Sequence, residues 1–256
     1  MQHNLIFLTE FDLDKPIYRV FRFDMLVQIF IESQLTLVKP RTWEDPFENF
    51  ILNSTGYLSD GREFQISFRD NFYGQCWTFN KESDAMWRIY SPNKDGVKVK
   101  TTIRKLFTPL FDLCGHNYRS NGELYNQRAF IGRVQYAGTK TLLKMLEDEE
   151  RMNYKVFDQT GRGQASTFFY KRVAFRHEKE IRIIYNALNN SAENPFFKLG
   201  VNPNQLIDEI VFDPRMTNED YIRHKRQVQD LGFQNSIVHS GLYKINNLRI
   251  SLTPPF

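Results

Sequence analysis

Residues 177–185 read His177-Glu178-Lys179-Glu180-Ile181-Arg182-Ile183-Ile184-Tyr185. Side chains along a strand alternate between two faces, and β-branched and aromatic residues favour that conformation. Read as a strand, the stretch puts Glu178, Glu180 and Arg182 on one face and Lys179, Ile181, Ile183 and Tyr185 on the other. The second face is apolar enough to belong to a core. Two carboxylates and a guanidinium beside such a core are costly unless wet or paired. The pattern therefore reads in one of two ways. It is an exposed sheet face with a Glu180–Arg182 or cross-strand ion pair, or a cleft lined by carboxylates that a basic partner holds.

Further strands are predicted outward from this stretch. They are residues 17–21 (IYRVF), 35–38 (LTLV), 72–79 (FYGQCWTF), 96–102 (GVKVKTT), 129–136, 207–212 (IDEIVF), 236–239 and 248–252. Helical spacing appears at 23–33, where Met25, Leu26, Ile29 and Phe30 share a side and Asp24 is a candidate cap. Residues 84–90 (DAMWRIY) follow a cap at Ser83 or Asp84, and residues 218–231 follow one at Thr217 or Asn218. An amphipathic helix is predicted at 139–150, a turn at 43–47, and a loop at 154–165, whose GRGQ lacks the Gly-Lys-Ser/Thr of a phosphate loop. Strands joined by short irregular helices, with no repeat or dividing linker, predict one α+β domain over 1–256 with a mixed or split β-sheet core.

At 256 residues the chain can bury enough surface to fold without a disulfide or metal. Its 23 Phe and 12 Tyr are expected mostly in the core. Two cysteines, Cys76 and Cys114, make no disulfide framework and fit a reduced compartment. No secretion signal and no apolar run of membrane-spanning length is present, so a cytoplasmic location without a membrane partner is expected. Cys114 and His116 are the only close thiol–imidazole pair, short of the four ligands of a structural zinc site, and no metal is expected. Cys76, in an apolar strand, reads as a packed thiol. No Gly-x-Ser-x-Gly elbow marks a serine nucleophile.

The net charge of +4 is mild, but positives cluster between 88 and 105: Arg88, Lys94, Lys98, Lys100, Arg104 and Lys105 against Asp95. This is either a solvated face or a phosphate-binding surface, and the second reading puts Lys98, Lys100 and Arg104 on one accessible, nucleic-acid-binding side. Trp87 and Tyr90, three apart on one helical side with Met86 beside them, make either a core stripe or the wall of a ring-stacking pocket.

Three blocks, with a closing segment, resemble the bacterial and phage family known as domain of unknown function 2971. The first runs from Tyr18-Arg19-Val20-Phe21 to Asp45-Pro46-Phe47-Glu48. The second comprises Cys76-Trp77-Thr78, Met86-Trp87-Arg88-Ile89-Tyr90 and Gly96-Val97. The third comprises Lys171, Phe175 and Glu178-Lys179-Glu180-Ile181-Arg182, with Ser240-Gly241-Leu242-Tyr243 near the end. Two departures stand out: Tyr18-Arg19 replaces the family's opening His-Tyr pair, and Ile181 replaces a Trp. More distantly, the layout resembles ADP-ribosyltransferases, which carry an Arg or His on an early strand, a Ser, Thr or Tyr in the middle and a Glu on a later strand. That resemblance implies an ADP-ribosyltransferase-like fold and cleavage of NAD as a substrate. The positions it implies here are Arg19, Tyr90 or Ser91, and Glu178 or Glu180, with Glu180, Glu178 and Tyr90 the catalytic candidates and Arg19 and Ser91 candidates for holding NAD; beside them, the residues themselves offer Trp87 as a stacking ring and Arg182 as a second cation for NAD. The resemblance also implies transfer to a protein or nucleic-acid acceptor by a toxin or phage-conflict effector. Two other readings stay open: a nucleic-acid-binding or -processing protein using the 88–105 segment, and a non-enzymatic module such as an antitoxin or inhibitor.

Overall fold

The computed structural model describes residues 1–43, 45–58, 60–188, 194–245 and 249–252. Ten strands form one mixed sheet. In chain order they are β1 (Leu5–Ile6), β2 (Pro16–Arg22), β3 (Gln34–Val38), β4 (Phe72–Thr78), β5 (Gly96–Thr102), β6 (Ala129–Arg133), β7 (Glu180–Asn186), β8 (Phe196–Gly200), β9 (Glu209–Phe212) and β10 (Ser236–His239). Across the sheet the order is β1-β6-β7-β4-β2-β5-β9-β10, with β3 joined to β4 and β8 to β3. The terminal pairs β1/β6 and β9/β10 are parallel, and the remaining pairings are antiparallel.

Both faces of the sheet are covered, and β7 is buried at every position. One face carries Ile17, Phe21, Val97, Ile181 and Ile183 into the main core beneath helices α1 (Phe23–Glu32) and α3 (Ile103–Leu113). The apolar side of α1 lies there, and the helix stops where Ser33 turns left-handed at φ 52°. On the opposite face α2 (Asp84–Tyr90) lays Met86 and Trp87 on Val20 and Val211. Ser83 caps α2 by accepting the Met86 N–H at 3.2 Å. Beyond it, Phe168 and Phe169 pack on Phe72, Phe130 and Ile184.

The sheet splits at β4. On the side away from β7, Thr78 pairs with Tyr18 of β2 and Gly74 pairs with Val38 of β3. Residues 75–77 between them pair only with β7. Two neighbouring strands thus touch opposite ends of β4, and the space between opens into the site described below.

Several elements differ from the sequence reading. The expected strand at 129–136 breaks into β6 and a separate strand Gln135–Ala137, which pairs with Tyr170–Arg172. Residues 177–179 are not strand: Val173–Glu178 is a 3₁₀ helix, and Lys179 turns back at φ 46°. The predicted helix at 139–150 is Thr139–Lys144 followed by a 3₁₀ turn, and a second helix, Glu149–Phe157, runs into the expected loop. Arg162–Ser166 is helical too, because Asp158 accepts N–H groups from Thr160 and Gly163 and so organises a stretch whose polarity reads as loop. Arg22, not Asp24, is the N-cap of α1. Of the expected strand at 248–252, Leu248 lies outside the described residues, as does Glu44 of the 43–47 turn, and 249–252 is not strand. Among the described residues, no helix is long and apolar enough to cross a membrane.

The helix Glu149–Phe157 buries Lys155, whose amine donates to Ser166 Oγ at 2.7 Å and lies over the Tyr170 ring. Among the described residues no carboxylate pairs with it. Burial pulls the amine down to about 8. Below that value both folded and unfolded chains carry the proton, and the cost of the buried charge is fully present. Between about pH 8 and the unfolded value near 10.4 the unfolded chain binds more protons, so stability rises with pH. Lys155→Met should therefore stabilise the fold by about 2 kcal/mol at pH 7. Urea denaturation at pH 7 and about pH 9.5 should show this advantage shrinking at the higher value.

Candidate active site

The split at β4 leads into a cleft of about 920 Å³, within the range of small-molecule sites. It is lined from β2 by Tyr18 and Arg19, from β4 by Gln75, Cys76 and Thr78, from α2 by Tyr90, and from the far side by Lys171, Glu178 and Glu180.

Five charged side chains meet along that far side. The Lys171 amine lies 2.5 Å from Glu178 Oε2, 2.6 Å from Glu180 Oε1 and 2.8 Å from Glu48 Oε1. Arg182 lies 2.7 Å from Glu180 Oε2 and 3.3 Å from Glu48 Oε2, and donates to the Phe168 carbonyl at 2.6 Å. The Trp43 ring covers the Arg182 guanidinium at 4.4 Å. Gly74 makes room for that ring, since a Cβ there would stand 2.8 Å from it.

Local structure explains the convergence. The left-handed Lys179 brings Glu178, from the 3₁₀ helix, beside Glu180 at the start of β7. The Thr78 hydroxyl donates to the Glu178 carbonyl, and the Glu180 N–H donates to the Tyr136 hydroxyl at 2.9 Å. Asp45 accepts the Phe47 N–H at 3.1 Å and pairs with Arg172 at 2.8 Å, which fixes the short helix presenting Glu48.

The two cleft glutamates differ in charge state. Burial opposes the ionisation of Glu180, but Arg182, the hydrogen bond from Glu178 and Lys171 outweigh it and hold Glu180 well below the usual carboxylate range. Burial, with the neighbouring Glu180, raises Glu178 to about 7. The Tyr90 hydroxyl donates to Glu178 Oε1 at 3.3 Å, and burial with the Glu178 charge raises its own pKa.

Across the split stands Arg19. It points to the same sheet face as Ile17 and Phe21, but the missing pairing beside β4 lets it line the cleft. Among the described residues it has no hydrogen-bond or ion-pair partner; its guanidinium lies 5.2 Å from the centre of the Phe21 ring. Burial lowers it to about 10, so it remains cationic at neutral pH.

Arg19, Tyr90, Glu178 and Glu180 thus share one cleft, with Arg182 buried directly behind Glu180. Trp87 and Ser91 do not line it. Trp87 is fully buried and donates to Glu82 at 3.0 Å; Ser91 is buried, donating to Asp213 at 2.6 Å and accepting the Gly96 N–H at 2.9 Å. Both are used up in packing α2 onto the sheet. Nor do Lys98, Lys100 and Arg104 form one basic surface. The alternation of β5 is as expected, but α2 covers its second face: Lys98 lies between Val20 and Val211, buried and paired with Glu82 at 3.4 Å. Lys100 is partly buried, and Arg104 pairs with Asp14 at 2.8 Å. The site also contains Glu48, Lys171 and Trp43, which the sequence reading did not name as site residues. Glu48 and Lys171 stand in the blocks that carry the family resemblance, and that was their only signal.

Residues 86–183 match the model of a family described as protein of unknown function (DUF2971). The matched stretch holds Tyr90, Lys171, Glu178, Glu180 and Arg182; Arg19 and Glu48 precede it. No curated protein matches the chain. Among solved structures it is similar to DarT of Thermus sp. 2.9 in complex with NAD+, at 12% identity over 89% of this chain and 96% of that one, TM-score 0.38. It is also similar to that protein with carba-NAD+ (13%, 88% and 95%, 0.36) and with ADP-ribosylated ssDNA (12%, 88% and 93%, 0.37). Identity and superposition are low in all three.

Proposed function

We propose that this chain is an ADP-ribosyltransferase-like enzyme that cleaves NAD in the cleft at the split and passes ADP-ribose to an acceptor. The observation that carries this reading is a fixed anion and an unpaired cation in one cleft: Glu180, held ionised by Lys171 and Arg182, and Arg19. Breaking the nicotinamide–ribose bond sends its electron pair to the leaving nicotinamide and develops positive charge at the ribose carbon. A carboxylate already locked in place stabilises that charge without reorganising. The NAD pyrophosphate carries two negative charges, and Arg19 is a cleft cation that no carboxylate occupies among the described residues. Tyr90 and Trp43 offer ring faces for the nicotinamide or adenine. Glu178 is placed to take the proton that the acceptor loses as its new bond to ribose forms.

The cleft rim favours an anionic acceptor such as nucleic acid over an acidic-patch-free protein. His177 lines the cleft, and its chain neighbours Arg176 and Lys179, which flank Glu178, are exposed; none of the three has a carboxylate partner among the described residues. Such chemistry fits a toxin or phage-conflict effector, since NAD loss or a modified nucleic acid harms the host cell. The test is nicotinamide release from NAD, alone and with single-stranded DNA, RNA or a protein extract, beside a thermal-shift measurement. NAD should raise the melting temperature, as ligands of the folded state do. Neither stabilisation nor release with any acceptor would instead support the interaction-module reading.

A further inference from the structure

The five-residue cluster is not neutral when fully ionised. It holds three carboxylates, Glu48, Glu178 and Glu180, and two cations, Lys171 and Arg182, all buried. One negative charge is left over, in surroundings where unbalanced charge is costly. The geometry decides which carboxyl carries the excess. Glu180 touches both cations, and so does Glu48. Of the two cations Glu178 touches Lys171 alone among the described residues; its carboxyl also meets the neutral Tyr90 hydroxyl and shares a hydrogen bond with Glu180. The remaining titratable groups packed around the cluster do not alter this count: Cys76 of β4 has its thiol pushed up by burial, Tyr136 is held neutral chiefly by burial, and Arg172 is engaged by Asp45.

Resting on the transferase reading, we propose that Glu48 and Lys171 are positioning residues of this site. Lys171 holds Glu178 and Glu180 at a fixed spacing, and Glu48 supplies the third negative charge that leaves one proton on Glu178. The resting cleft then contains one permanent anion and one carboxyl that exchanges its proton near neutrality, in agreement with the raised value of Glu178. Glu48 does this through the Lys171 amine and the Arg182 guanidinium. It occupies both cations and so weakens the hold of Lys171 on Glu178.

The two positions predict displacements of opposite sign. Glu48→Gln keeps the side-chain shape and removes one negative charge. Glu178 should then lose its proton about one pH unit lower, the scale of a single neighbouring charge. Lys171→Met removes the one cation that touches Glu178 among the described residues, and Glu178 should then titrate at least about one unit higher. Glutamate side-chain carboxyl NMR of the full chain reads these titrations directly, without turnover. The acid limb of the kcat/KM profile for NAD cleavage with acceptor should follow, moving down in Glu48→Gln and up in Lys171→Met, with KM for NAD in Glu48→Gln within about twofold of wild type.

A melting temperature lowered by either substitution, with the Glu178 titration and the acid limb unmoved, would overturn the proposal and leave Glu48 a structural ion-pair partner. Should Lys171→Met not fold, the downward displacement in Glu48→Gln alone decides. If wild type cleaves no NAD while the NMR displacements occur as stated, the charge arrangement stands and the transferase reading falls. If wild type cleaves NAD and Glu178 titrates identically in Glu48→Gln, the transferase reading stands and this proposal falls.

Discussion

Replacing Glu180 by Gln should cut kcat for NAD cleavage by ~10²–10³-fold, the scale of losing one preorganised electrostatic contact. The affinity for NAD should change far less, because the carboxylate matters most when positive charge develops on the ribose. The structure adds a stability cost. Glu180 is buried against Lys171 and Arg182, and its neutralisation leaves Arg182 with one carboxylate, Glu48 at 3.3 Å, among the described residues. Breaking such a pair costs about 3 kcal/mol, so the rates have to be compared well below both melting temperatures. Equal rates there would remove Glu180 from the mechanism. A variant that loses stability while the folded fraction keeps its full rate would make Glu180 a strut of the sheet.

Arg19→Ala should do the reverse to the fold. Glu180 is a charge the interior already satisfies, whereas Arg19 is a cleft guanidinium that the described interior leaves unpaired. Removing it relieves a desolvated charge, and the ligand-free protein should melt at the same temperature or higher. If Arg19 grips the pyrophosphate, the loss of charge-assisted hydrogen bonds worth about 1.5–3 kcal/mol should raise KM for NAD by roughly 10–100-fold, with kcat less affected. The melting-temperature increment that NAD gives wild type should largely vanish. A ligand-free variant that melts well below wild type, with the NAD increment intact, would show that Arg19 supports the sheet and not the cofactor phosphates. This opposition between a stabilising and a destabilising site residue is itself a signature, because active sites hold charges that packing alone would discard.

Alternation and helical spacing made most of this fold legible. β2, β4, β5, β7 and α1 carry patterns that local sterics and burial decide, and they form close to where those patterns put them. The Glu-x-Glu-x-Arg pattern also marked a place where burial and charge conflict, and the charged cluster lies there. What the pattern could not supply was the covering layer. Lys98 has the spacing of a solvated lysine, and only the packing of α2 across β5 makes it a buried partner of Glu82. Glu178 was placed on the right side for a reason that does not hold: it reaches Glu180 through the left-handed Lys179 and not along a strand. Lys171 and Glu48 lie far from each other in sequence, and no local rule pairs them; their meeting depends on the tertiary fold.

A sheet resists splaying through its ladder of hydrogen bonds, and at β4 that ladder is interrupted on one side over residues 75–77. The main core nevertheless runs beneath the gap, joining Ile17 and Phe21 of β2 to Trp77 of β4 and Ile181 of β7. The aperture of the cleft is therefore held by side-chain packing below it and not by a backbone ladder across it. Lys171, Arg182 and the carboxylates stand together on one side of the gap, and Arg19 stands on the other. The span between the gripping cation and the reacting end is thus a distance that packing sets, so it answers to core substitutions far from either charge.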